Sequence, residues 1–337
     1  MYMYILIFLL SVVLSFFLAL IIKKIASHYK IEDYPDDLRK RHKKPVPLLG
    51  GVGLFLSFFI IIFFLYFLNL LSYEMMRLLL WLFIASFVII VGGVLDDIFS
   101  LNPKIQIIFP LIAISLVLFG GVRVGIITNP YGGILNLGIF TSLIISFFWL
   151  FTITYTTKIL DGLDGLVSGI VILGAGSIFL FTTITNFKEQ GLSFLSLVLA
   201  GVFIGFLFLN KYPAKFFLGE SGSLFSGFIL GSLAILTGAK IAITLMVLAL
   251  PLIDFLSVIL KRFFLKNKSI FKGDRMHLHF LLVDRGWKPQ NVVFLFWGVS
   301  GVLGIVSIFL PSILKVLILS LVILIFFVID IFFFKDV

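Results

Sequence analysis

Eleven runs of almost uninterrupted apolar residues leave this chain few ways to fold. They lie at 3–22, 48–70, 76–95, 104–120, 138–157, 166–186, 192–209, 222–238, 240–260, 291–310 and 312–334. A helix needs about 20 apolar residues to cross about 30 Å of hydrocarbon, and most of these runs are that long. Inside lipid the backbone must satisfy its own hydrogen bonds, so the runs are expected to be α-helices. The expected fold is therefore all-α, a polytopic membrane protein of about eleven transmembrane helices, with 1–337 as one transmembrane domain. A soluble domain needs about a quarter of its residues charged, whereas this chain has 12% charged and 61% hydrophobic residues. With no cysteine, disulfide frameworks, thiolate nucleophiles and Cys-based zinc sites are excluded. The opening MYMYILIFLLSVVLSFFLALIIKK has no leading positive charge and no small-residue cleavage site. It reads as a retained helix rather than a signal peptide.

Basic residues set the expected orientation, since they concentrate on the cytoplasmic side. With the N-terminus outside and the C-terminus cytoplasmic, 21 of the 26 lysines and arginines fall on the inner face, and only Arg77, Arg123, Lys188, Lys240 and Lys315 fall outside. The net charge of +10 is thus spread over short loops rather than clustered on a soluble domain. That argues against nucleic acid and for anionic headgroups and phosphate-bearing substrates. The same parity puts Glu74 and Glu189 outside, and Asp96, Asp97, Asp161, Asp164, Glu220 and Asp274 in or beside inner loops. A charge at mid-bilayer costs about 2.5–3.5 kcal/mol even on lenient insertion scales, so helix ends are where carboxylates belong. Inner loops 23–47, 96–103, 158–165, 210–221 and 261–290 form the expected active face.

Five motifs on that face can carry chemistry. In VGGVLDDIFSLNP, Asp96 and Asp97 end the third run; paired carboxylates can hold Mg²⁺ or place a base beside it. A purely structural role is less attractive there, because a carboxylate at a helix C-terminus opposes the macrodipole. In KILDGLDGLVSG, Asp161 and Asp164 are three apart and share a face if helical, and the glycines allow close approach of a ligand. The competing reading is an N-cap for the next helix. In KYPAKFFLGESGS, Glu220 opens the eighth run, where helix-start amides favour anions; an ordinary cap explains the serines equally well. In FKGDRMHLHFLL, Arg275 can grip phosphate, and His277 and His279 can bind phosphate or move a proton; a loop anchored to headgroups is the alternative. In DLRKRHKKPVPLLGGVG, Lys43 and Lys44 are nearest the turn and can reach a nucleotide, although such lysines also enforce topology.

In order, the double aspartate, DGLDGL at 161–166, FLGESGS at 217–223 and DRMHLH at 274–279 resemble the polyprenyl-phosphate N-acetylhexosamine-1-phosphate transferase family, over about residues 31–285. The span count and HLH fit that family's UDP-HexNAc branch; the muramoyl-pentapeptide branch usually carries three histidines in a run. The resemblance implies transfer of N-acetylhexosamine 1-phosphate from a UDP-sugar such as UDP-N-acetylglucosamine to polyprenyl (undecaprenyl) phosphate. UMP is released, in the initiating step of cell-envelope glycan synthesis at the plasma (inner) membrane. It implies Mg²⁺ as cofactor and Asp96 and Asp97 as catalytic residues, activating the lipid phosphate or supporting the metal. Asp161 and Glu220 are the implied metal ligands. Lys43, Lys44, Lys158, Asp164, Arg275, His277 and His279 are the implied substrate contacts, and a homodimer is compatible with it. Two positions depart from the family pattern. Lys158 stands where the family usually has Asn, and Glu220 where it usually has Asp; Phe280 also follows HLH where a third His is common. If the loops meet, Lys158 and Glu220 are expected to pair, which weakens the expected Mg²⁺ dependence.

Two other classes compete with a transferase. A transporter should carry ionisable residues near mid-span on broken helices, and Asp254, late in the ninth run, is nearly the only candidate. A family member that has lost catalysis and serves as a binding or regulatory subunit is kept alive by Lys158 and Glu220. The orientation is testable directly, because the natural chain has no cysteine. Single cysteines placed near 35, 101, 213 and 270 are expected to resist an outside-only thiol reagent, while one near 189 labels. External labelling at any two of the first four defeats the topology.

Overall fold

The computed structural model describes residues 2–35, 44–185, 189–238, 241–264 and 276–334. Each apolar run closes its backbone hydrogen bonds within itself, giving α1 (Tyr2–His28), α2 (Gly50–Phe67), α3 (Tyr73–Phe99), α4 (Pro103–Gln106), α5 (Ile108–Phe119), α6 (Ile139–Leu160), α7 (Leu166–Ile184), α8 (Gln190–Asn210), α9 (Gly219–Leu236), α10 (Ile241–Val247), α11 (Ala249–Phe264), α12 (Leu278–Asp284), α13 (Pro289–Phe309) and α14 (Ser312–Phe334). Two antiparallel hairpins complete the fold: β1 (Glu32–Asp33) with β2 (Val46–Pro47), and β3 (Ile126–Thr128) with β4 (Ile134–Asn136).

Among the described residues, nine helices are long and apolar enough to cross a bilayer. The other two runs are interrupted. The fourth is split into α4 and α5, and the ninth into α10 and α11, which meet at 76°. Proline accounts for both breaks. A proline lacks the N–H that should bond the carbonyl four residues back, and its ring clashes with that carbonyl. Pro110 stands four residues after Gln106, the last residue of α4, and Pro251 stands four after Val247, the last of α10. The eleven runs are therefore all present, but two of them are interrupted and the ninth bends where a straight span was expected. Several helix ends also extend past the apolar run, as α1 does to His28, while α2 is shorter than its run at both ends.

α8 and α9 form the centre. α1 and α7 pack along α8, α3 and α6 along α9, and α13 covers α7. The outer helices leave large apolar side chains exposed, among them Leu6, Val13 and Phe17 on α1 and Leu317, Leu321 and Leu324 on α14. That surface is insoluble in water and natural in lipid, so the chain is a multi-pass membrane protein. Because lipid tails are as apolar as leucine, helices associate through close packing and interhelical hydrogen bonds. Ser15 Oγ donates to the Val202 carbonyl at 2.6 Å, Trp149 Nε1 to Gly231 at 3.0 Å, Thr157 Oγ1 to Ser223 at 2.9 Å, and Ser168 Oγ to Asn210 Oδ1 at 2.8 Å.

The α1–α8 crossing depends on Gly205, where an added Cβ would collide with the Val12 carbonyl and come within 2.9 Å of Ser15 Cβ. Overpacking of this kind typically costs about 1–3 kcal/mol. Gly205→Val is therefore expected to lower the apparent melting temperature in detergent by several degrees. Gly176→Ala, which meets nothing within 4 Å, should leave it unchanged. Equal melting of both variants would contradict this account of the crossing.

Candidate functional site

The ends of α3, α6 and α9 meet the turn before α7, the start of α12 and the strand β2 at one end of the bundle. α3 stops where Ser100 takes a left-handed φ of 49°, and Asn102 caps the next helix by accepting from Lys104 N at 3.0 Å. The two aspartates on the last turn of α3 are used differently. Asp96 Oδ1 accepts from Leu101 N at 2.6 Å and from Gln106 Nε2 at 2.8 Å, while Oδ2 accepts no hydrogen bond among the described residues. Asp97 turns to α9: Oδ1 accepts from Glu220 N at 2.7 Å, and Oδ2 from Ser221 Oγ at 3.1 Å and Ser221 N at 3.4 Å. The residue before α9, Leu218, offers no side-chain cap, so a carboxylate from another helix does that work.

The first-turn amides of α9 are thus not left for a ligand anion, contrary to what the sequence leads one to expect. Two of those donors are taken by the protein's own Asp97. Gly219 makes the approach possible. Its φ is +71°, and a Cβ there would fall 2.6 Å from Asp97 Oδ2, so both conformation and space require glycine.

Glu220 and Lys158 form an ion pair, as the two departures from the family pattern implied. Lys158 Nζ also donates to Gln106 Oε1 at 3.0 Å and lies 5.7 Å from the centre of the Tyr155 ring. Hydrogen bonds and this ion pair thus run Asp96–Gln106–Lys158–Glu220, with Asp97 on the backbone of Glu220. Gln106 was not singled out in the sequence. Its only signal there is a polar side chain in an apolar run, four residues before Pro110.

Residues 161–165 are a turn rather than helix, so Asp161 and Asp164 do not share a helical face, and neither caps α7. That cap position is Gly165, at φ 78°. Asp164 Oδ2 accepts from Ala214 N at 2.9 Å and ties this turn to the loop before α9. Asp161 accepts no hydrogen bond among the described residues. Burial holds its carboxyl well above the ordinary carboxylate range, and the charges of Glu220, Asp97 and Asp164 push it the same way.

The turn packs against the histidine segment: a Cβ on Gly162 would meet the Phe280 ring and come within 2.8 Å of His279 Nε2. His277 and His279 are buried, their rings stacked 14° from parallel at 5.8 Å. Asp254 of α11, nearly the only candidate for a transport carboxylate, accepts from Leu278 N at 2.8 Å and contacts His277 Nδ1 at 3.0 Å. Its role is to orient an imidazole and start α12. Lys44 is exposed on the segment leading into β2; Pro47 in that strand accepts from Phe217 N at 2.9 Å, which brings the segment alongside the loop before α9. Lys43, Asp274 and Arg275 lie outside the described residues.

The carboxylates are hard oxygen donors of the type Mg²⁺ takes. As arranged they do not form a cage: among the described residues no three acidic or imidazole groups converge as a ligand set. Glu220 is held by an ammonium and Asp97 by α9.

Residues 78–238 match the profile described as Glycosyl transferase family 4. The chain is 29% identical over 315 residues to a probable undecaprenyl-phosphate N-acetylglucosaminyl 1-phosphate transferase of Bacillus subtilis, covering 90% of this chain and 84% of that protein. It is 30% identical over 336 residues to a phospho-N-acetylmuramoyl-pentapeptide-transferase of Borreliella afzelii, covering 89% and 92%. A phospho-N-acetylmuramoyl-pentapeptide-transferase of Prochlorococcus marinus is 35% identical over 298 residues, covering 80% and 78%.

Losing a helix N-cap costs about 0.5–2 kcal/mol. Asp97→Ala is therefore expected to lower the melting temperature of the purified protein, whereas Asp97→Asn, which keeps an acceptor, lowers it less. Unchanged melting of the alanine variant would show that Asp97 does not hold α9.

Proposed function

The chain belongs to glycosyl transferase family 4, and on that premise we propose that it transfers N-acetylhexosamine 1-phosphate from a UDP-sugar to polyprenyl phosphate, releasing UMP, as an initiating step of cell-envelope glycan synthesis. A phosphate oxygen of the lipid attacks the β-phosphorus of the nucleotide sugar. One P–O bond forms as the bond from that phosphorus to the bridging oxygen breaks, and the electron pair leaves on UMP. Nothing is oxidised or reduced. The observation that carries the reading is the convergence of Asp96, Asp97, Lys158, Asp161, Glu220 and the two histidines at the end of a membrane bundle. A lipid phosphate and a soluble nucleotide can meet only at headgroup level, and catalysis of phosphoryl transfer is mostly positioning and charge.

Within this proposal Asp96 is the proton acceptor for a lipid phosphate that arrives as a monoanion, since Oδ2 is open while Oδ1 is fixed by Leu101 and Gln106. Asp97 positions α9 and with it Glu220. Lys158 donates to a phosphate oxygen, His277 and His279 line the diphosphate, and Asp164 holds the loop before α9 at the nucleotide side. Lys44, together with Lys43 and Arg275, is assigned to the nucleotide and its phosphates. The proposed orientation remains N-terminus outside, with the site on the cytoplasmic face of the plasma or inner membrane. A homodimer belongs to the same proposal. The second reading, a protein that binds these ligands without turning them over, rests on the Lys158–Glu220 pair.

Purified protein incubated with undecaprenyl phosphate is expected to release UMP from UDP-N-acetylglucosamine or from UDP-linked N-acetylmuramoyl-pentapeptide, and the preferred donor identifies the sugar. No UMP from either, with or without Mg²⁺, supports the binding-only reading. General-base catalysis contributes typically about 10²–10⁴-fold, so Asp96→Asn should lose turnover in that range while inserting normally. Near-normal turnover would remove Asp96 from the chemistry.

A further inference from the structure

The carboxylate cluster already contains a cation. Lys158 enters from the last turn of α6, and its ammonium has three N–H donors. One contacts Glu220 and a second bonds Gln106 Oε1 at 3.0 Å, which leaves a third. The side chain stays 21% exposed, against 17% for Glu220, so the pair is accessible from the open side of the site. Gln106 is itself anchored to Asp96 and to the Leu101 carbonyl at 2.9 Å. The lysine is therefore held at a fixed place by neighbours from two other helices, one of which is itself tied to α3.

A divalent metal at Glu220 would meet two obstacles. It would have to displace the ammonium and then tolerate it alongside as a like charge. Mg²⁺ also demands near-octahedral oxygens at about 2.0–2.1 Å; Asp97 on the α3 side already accepts from Glu220 N and Ser221, and among the described residues no three acidic or imidazole groups converge as a ligand set. The donor set present does not fit a metal at this position.

We propose that Lys158 is the resident cation of this site, standing in place of a divalent metal at Glu220 and presenting its third N–H to a phosphate oxygen of the substrates. That the phosphate belongs to a lipid or a nucleotide sugar rests on the proposed transferase function; the exclusion of metal from Glu220 does not. Glu220 serves as the positioning residue that holds the ammonium.

Mn²⁺ serves as a paramagnetic substitute for Mg²⁺, titrated into chelator-treated protein in zwitterionic nanodiscs with free Mn²⁺ read by electron paramagnetic resonance. The wild-type protein is compared with Lys158→Gln and with the double variant Lys158→Asn, Glu220→Asp. Both variants are expected to bind Mn²⁺ at least about tenfold more tightly than wild type, the scale on which single neighbours alter metal affinity. Lys158→Gln covers the case in which the double variant fails to fold, and Lys158→Arg should bind as weakly as wild type. UMP release by the wild-type protein should persist in excess chelator. Equal Mn²⁺ affinity in wild type and variants would overturn the proposal, as would UMP release that chelator abolishes and Mg²⁺ restores. Absence of UMP under every condition counts against the transferase reading alone, because the Mn²⁺ comparison still decides the role of Lys158.

Discussion

The first turn of α9 presents free backbone N–H groups at the end of a helix that is buried along most of its length, and the group that meets them is Asp97 of α3. A carboxylate at the C-terminal end of its own helix opposes that helix's dipole. It becomes favourable here because a second helix offers its positive end, through charge-assisted bonds that are shorter and stronger than neutral ones. The arrangement fixes the distance between α3 and α9, and Gly219 allows it by having no side chain in the way. Once α9 is fixed, Glu220 projects from a known place toward α6. The Phe217 and Leu218 carbonyls then accept from Gly50 N and Gly51 N at the start of α2. The ends of α3 and α9 are thus registered by one side chain, and that of α2 by two backbone bonds.

Glu220 would be unfavourable at that place without a partner, since a partly buried charge needs a counter-ion or it neutralises. Lys158 supplies the counter-ion, and Gln106 carries the network on to Asp96. The value of this chain of contacts is geometric more than energetic, because ion pairs that are partly open to solvent contribute modestly. What the contacts provide is a set of charges whose positions are settled before any substrate arrives. Preorganised charge of that kind is what phosphoryl transfer requires, because little covalent chemistry is left for the protein to do. The histidine side follows the same logic: Asp254 orients His277 and starts α12, while Gly162 lets the aspartate turn approach His279 closely.

Some of this was legible in the residues. The eleven apolar runs were, because lipid permits only internally bonded backbone; the two interruptions were not expected, although they fall at carbonyls that Pro110 and Pro251 cannot satisfy. The Lys158–Glu220 pair could be anticipated as two departures from one motif pattern. The roles of the aspartates could not. Asp97 looks the same as Asp96 in sequence, and Asp161 and Asp164 look like caps for α7, yet Asp164 bonds Ala214 and α7 begins at a left-handed glycine. Gln106 and Asp254 carried no motif.

The sequence by itself determined that the protein lives in lipid, how many apolar segments it has, where two of them break, and which short stretches hold its ionisable groups. Those properties are local: run length, hydropathy and the missing N–H of proline act within a single turn or span. The tertiary structure alone decided which charge faces which. Asp97 meets Glu220 across 123 residues of chain and Lys158 meets Gln106 across 52. No helical periodicity encodes pairings at such separations, because they depend on how the helices pack and which ends that packing brings together.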